Sequence, residues 1–199
     1  MSDSGLAGST GTVRVDLDAP LELARWRPLL HWLMAIPLAL VGIVWAIGAL
    51  VYGIVAVFSV LFTKQVSPGV HSFLVRVLRY QFRLQTFIGF MREPYPSFAL
   101  EGTEDDPGTD PARLSIAPAD ELKRFGPIYK WILAIPHLIV LYVLGLAAAV
   151  CTIVGFFAVL FTRGWPEGLR RFIIGTQRWG TRASAYLVLR DEYPPFSLD

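Results

Sequence analysis

LLHWLMAIPLALVGIVWAIGALVYGIVAVFSVLF, residues 29–62, runs for 34 residues without an aspartate, glutamate, lysine or arginine. A second stretch, WILAIPHLIVLYVLGLAAAVCTIVGFFAVLFT, residues 131–162, does the same for 32. About 20 apolar residues suffice to cross a hydrocarbon core of roughly 30 Å. Either run as one straight helix would be about 50 Å long at 1.5 Å per residue. A transmembrane helical hairpin is therefore expected in each run, turning near Gly48 and near Gly145. A single long, tilted helix is the alternative. Pro37 and Pro136 fall early in the two runs. Each predicts a kink, and a carbonyl freed of its amide, which in lipid needs another partner.

The composition agrees with membrane residence. The chain has 199 residues, of which 54% are hydrophobic and only 17% charged, and its mean hydropathy is +0.49. Soluble domains carry about 25% charged residues. A formal net charge of +2 is too small to point to nucleic acid. The lone cysteine, Cys151, excludes an internal disulfide and reads as an inert packing residue. Residues 1–11 are small and polar, with neither the basic nor the apolar part of a signal peptide. They read as a disordered tail, and the first apolar run is expected to act as an internal, uncleaved membrane signal.

The two runs belong to one duplicated unit. A shift of 99 residues lays Trp32-Leu33-Met34-Ala35-Ile36-Pro37 on Trp131-Ile132-Leu133-Ala134-Ile135-Pro136. The same shift lays Glu22, Arg25 and Pro28 on Glu121, Arg124 and Pro127, and Arg79 and Arg83 on Arg178 and Arg182. With one gap, Tyr95-Pro96-Ser97-Phe98 matches Tyr193-Pro194-Pro195-Phe196. Apolar similarity alone does not align polar and proline landmarks, so this is an internal repeat. The division is a tail (1–11), repeat 1 (12–100), an acidic Gly/Pro linker (101–111) expected to be flexible, and repeat 2 (112–199).

Each repeat opens on a short strand-like piece. Val13-Arg14-Val15-Asp16-Leu17 alternates apolar and polar residues, and Leu114-Ser115-Ile116 is a weaker echo. After the apolar run and a Pro/Gly turn, a basic helix is expected over about 70–91 and 169–189. On it Arg76, Arg79 and Arg83 share one face, as do Arg171, Arg178 and Arg182. An interfacial helix with these arginines at anionic headgroups is the favoured reading. A spanning helix with inward arginines that bind an anion or headgroup is the second. Central arginines need partners in lipid, and the apolar runs offer few acids. The fold class expected is thus an all-α membrane protein of two tandem parallel repeats, each a hairpin plus an arginine-striped helix. Basic residues flank both ends of both runs, which places N-terminus, linker and C-terminus in the cytoplasm. The opening strands and Tyr-Pro-x-Phe closings are expected to meet there as a small cap.

No catalytic pattern stands out. His31, His71 and His137 lack metal-ligand spacing, so no metal and no cofactor is expected. There is no phosphate-binding glycine loop and no nucleophile elbow. Asp191 and Glu192 are adjacent and read as solvated acids rather than a catalytic pair. His137, directly after Pro136, is the one ionisable residue inside the second run and a possible functional group.

The segments Trp131-Ile-Leu-Ala-Ile-Pro-His137, Leu160-Phe-Thr-Arg-Gly-Trp-Pro-Glu-Gly168 and Asp191-Glu-Tyr-Pro-Pro-Phe-Ser-Leu198 resemble the signatures of a domain-of-unknown-function family of bacterial membrane proteins, common in actinobacteria. The resemblance covers nearly the whole chain, once per repeat, and is fuller in repeat 2. It implies residence in the bacterial cytoplasmic membrane and no known reaction. The function expected is a non-enzymatic scaffold or accessory subunit, in contact with anionic lipids and other membrane proteins. The alternative is a lipid- or anion-binding or transport protein that uses the arginine stripes.

Overall fold

The computed structural model describes residues 12–103 and 105–198; the expected N-terminal tail lies outside them. The elements in chain order are β1 (Val13–Leu17), α1 (Arg27–Thr63), α2 (Pro68–Ile88), β2 (Ala112–Ile116), α3 (Gly126–Thr162) and α4 (Glu167–Val188).

The hairpin expectation is overturned. Each apolar run is one continuous helix of 37 residues, with its proline inside. A lone glycine costs a helix only about 1 kcal/mol, and nothing around Gly48 or Gly145 adds a second turn signal. Gly48 instead admits the Phe73 ring, which comes within 3.0 Å of where a Cβ would stand. Both helices start with proline in the first turn, where its missing amide is harmless. Both stop at a residue in the left-handed region, Lys64 (φ 59) or Arg163 (φ 64), whose amide returns to Val60 or Val159.

α2 folds back along α1, and α4 along α3. Tyr80 Oη donates to the Leu38 carbonyl at 2.7 Å, and Gln81 donates to that of Gly42. The buried residues of α1 form one stripe: Pro28, His31, Ala35, Leu38, Gly42, Ala56 and Val60. That spacing is a single helix face, and it faces α2. The rest of the circumference is uncovered. Only 11% of the most apolar 18-residue window of each long helix is buried.

Both expected strands are present, and they pair antiparallel, with Val15 opposite Leu114. Val15, Leu17, Ala112, Leu114 and Ile116 point into the core, while Asp16 and Arg113 form an outward ion pair at 2.9 Å. The Tyr-Pro-x-Phe closings do not join this cap. They lie along the long helices: Trp45 Nε1 donates to the Phe98 carbonyl, and Tyr95 Oη to that of Met34.

The repeats are antiparallel, not parallel, and this too is a correction. Leu23 N donates to Arg163 O and Leu122 N to Lys64 O, both at 2.8 Å. The start of each long helix is therefore tied to the end of the other. Trp32 near the start of α1 meets Phe156 near the end of α3. Basic residues at all four helix ends fit a returning hairpin and an antiparallel pair equally well, so charge could not distinguish them. Val15 and Leu114, which face each other across the strand pair, are also equivalent under the 99-residue shift. A pseudo-two-fold axis thus runs between them. Along it lie three layers: the strand pair, then α2 and α4, then α1 and α3.

Candidate functional site

The arginine helices turn the central arginines of their stripes, Arg79, Arg83 and Arg178, inward toward the strands and the linker. Arg79 is 1% exposed, and its Nε lies 2.9 Å from Asp106 Oδ2 and 2.8 Å from the Leu114 carbonyl. Its Nη1 donates to the carbonyls of Glu101 and Thr103. Arg83 pairs with Glu101 at 2.9 Å and with Asp106 at 3.3 Å. Arg92, which was not among the expected site residues, clasps Asp110 through two bonds of 2.5 and 2.7 Å. Burial lowers the pKa of Arg79, and Asp106 opposes that. These carboxylates come from the linker, which Glu101, Asp106 and Asp110 anchor to the arginine helix of repeat 1 and to Arg92. Leu114 N and Gly108 N both donate to Asp106 as well.

In repeat 2 carbonyls take over much of this role. Arg178 Nε donates to Val15 O at 3.0 Å, which is the symmetry counterpart of Arg79 on Leu114 O. Arg182 donates to Ser197 O. Arg170, also missed, donates to Pro20 O and Ala19 O, and burial lowers its pKa. The stripe is completed by less central members: half-buried Arg76 returns to Ser72 O, and exposed Arg171 pairs with Glu167 in its own helix. Arg79, Arg83, Arg178 and Arg182 thus hold one repeat to the other or to the segment that follows their own helix. The six arginines do not converge on one pocket.

His137 is fully buried. Trp179 Nε1 donates to its Nδ1 at 3.0 Å, so the neutral ring carries its proton on Nε2. Phe196 stacks on it at 4.1 Å and Tyr193 meets it edge-on at 4.7 Å. Nε2 has no hydrogen-bond partner among the described residues. Repeat 1 solves the same position with Leu38 and Tyr80. Among the described residues no group of histidines, cysteines and acids could hold a metal ion.

A cavity of about 400 Å³ lies near the pseudo-two-fold axis, between α2 and α4 and above α3. Its polar lining is uncharged: Gln81, Gln85, Thr176, Gln177, Thr181 and Ser184. Gln177 Oε1 is buried there without a hydrogen-bond partner among the described residues. Leu78, Phe82, Leu141 and Ile173 are its large apolar lining residues.

A family model described as a domain of unknown function, DUF4389, matches residues 25–99 and again 127–198. The chain belongs to the DUF4389 family. It carries that domain twice, which agrees with the internal repeat. Each DUF4389 match takes in one long helix, one arginine helix and one Tyr-Pro-x-Phe closing, and leaves the opening strand outside. No curated protein and no solved structure matches the chain.

Proposed function

We propose that this DUF4389 protein is an integral protein of the bacterial cytoplasmic membrane that works without catalysis of its own, as a scaffold or accessory subunit. The observation that carries the reading is the uncovered apolar surface of α1 and α3, two helices long and apolar enough to cross a membrane. Large contiguous apolar surface on a folded protein marks contact with lipid or with other proteins. The buried arginines support a structural role, since they are engaged with carboxylates and carbonyls of the same chain. The partners are anionic lipid headgroups and other membrane proteins.

Alkaline carbonate should leave the protein in the membrane pellet. A C-terminal tag, used for affinity purification from native membranes, should recover stoichiometric partners. Recovery of the protein alone would count against the subunit reading. The neutral cavity favours a second reading, in which the protein holds a lipid by its uncharged ester region rather than by arginines. Native mass spectrometry tests it: Gln177→Leu should lose a lipid that the parent protein retains.

A further inference from the structure

We infer that the two long helices lie flat within one leaflet, so that the protein is embedded from one side and spans nothing. This rests on the membrane reading above and deepens it. The argument starts from the pseudo-two-fold axis. It passes through the Val15–Leu114 pair and between the antiparallel α1 and α3. If these helices crossed the bilayer, the axis would lie in the membrane plane, and the strand pair would sit at mid-depth. There Arg14 is exposed, and Asp16 and Arg113 are 32% and 39% exposed. Charged side chains and open strand edges have no place facing hydrocarbon.

Length gives the same answer. The 34 charge-free residues from Leu29 to Phe62 would need a tilt of about 54° to fit a 30 Å core at 1.5 Å per residue. Helices in membranes tilt by roughly 0–40°. Turned through a right angle, the molecule fits. The axis becomes the membrane normal, and the three layers become a polarity gradient. The charged strands and linker meet water, α2 and α4 lie at headgroup depth, and α1 with α3 form a floor about 10 Å thick, within a leaflet's half of the core. All four ends of the floor then reach the same interface. Arg25, Lys64, Arg124 and Arg163 are exposed there, as are Glu22 and Glu121, with Trp26 and Phe125 beside them.

The test reads sidedness. In a Cys151→Ser background, single cysteines are placed at the two ends of α1, by Arg25→Cys or Ser67→Cys. A membrane-impermeant maleimide is applied to right-side-out and to inverted vesicles. Flat helices put both positions on one side, so both label in one vesicle type and neither in the other. Opposite labelling, one cysteine in each vesicle type, would overturn the inference and leave membrane residence intact. Release by alkaline carbonate would instead remove the membrane reading on which it rests. Arg124→Cys and Glu167→Cys repeat the measurement on α3, so that one misfolded variant does not decide it.

Discussion

Asp106 sits where repeat 1, the linker and the strand of repeat 2 meet, and its removal is the sharpest test of the architecture. Asp106→Ala deletes the ion pairs with Arg79 and Arg83 and the acceptor for two backbone amides. Arg79 is 1% exposed and Asp106 7%, so solvent does not replace what is lost. Taking one partner from a buried pair costs about 3–5 kcal/mol. Here the lower end applies, about 3 kcal/mol, because Arg79 keeps three carbonyls and Arg83 keeps Glu101. For a chain of this size each kcal/mol moves Tm by about 2–4 °C, which gives a fall of about 6–12 °C. Thermal unfolding in detergent, followed by tryptophan fluorescence, reads this directly. Glu167→Ala is the control. It breaks a pair whose side chains are 62% and 60% exposed, worth about 0–0.5 kcal/mol, and should shift Tm by less than about 2 °C. An Asp106→Ala protein within 2 °C of the parent would refute the view that the linker carboxylates compensate the buried arginines.

Three further outcomes are expected. A Cβ at Gly155 would stand 2.1 Å from the Trp165 ring, so Gly155→Val should cost about 3 kcal/mol by overpacking; less than additive loss in the double variant with Trp165→Ala checks that the ring is the cause. Tyr95→Phe removes the 3.1 Å donor to the Met34 carbonyl, one residue from the carbonyl that Pro37 frees, and should cost about 1 kcal/mol in the same melt; an unchanged Tm would deny the closing motif that role. Glu192 has its pKa lowered by the hydroxyl of Thr12 and then by Arg190. Its contribution is therefore present above the ordinary glutamate value of 4.5 and lost as pH falls through its lower folded value. The Tm gap between the parent and Glu192→Gln should be open at neutral pH and close in acid; a gap independent of pH would contradict this.

Much of the architecture could be read from the sequence, and the failures have physical causes. The repeat, the strand alternation and the arginine helices all rest on local pattern, and they are present. Composition cannot tell a glycine that bends a chain from one that admits a neighbouring ring, as Gly48 does, or one that simply faces open space inside a helix, as Gly145 does. The apolar runs hold no acid that could partner Arg79 and Arg83; Asp106 and Glu101 arrive instead from a linker whose Gly/Pro content points to mobility. The aromatic surroundings of His137 come from α4 and the closing segment, 42 and more residues away. The freed carbonyl near each proline was legible; that the closing-motif tyrosine donates to the carbonyl next to it, Met34 in repeat 1 and Leu133 in repeat 2, was not.

The crossed strands bear on how such a fold can exist in pieces. Arg79 of repeat 1 is capped by the strand of repeat 2, and Arg178 of repeat 2 by the strand of repeat 1. Half of the chain, alone, would hold a strand with no groove for it and an arginine helix with no lid. Two separate halves could complete each other only by meeting, at a cost set by their concentration. Joined by the linker, the same exchange becomes intramolecular, and folding of the pair no longer depends on how much of the protein the cell makes.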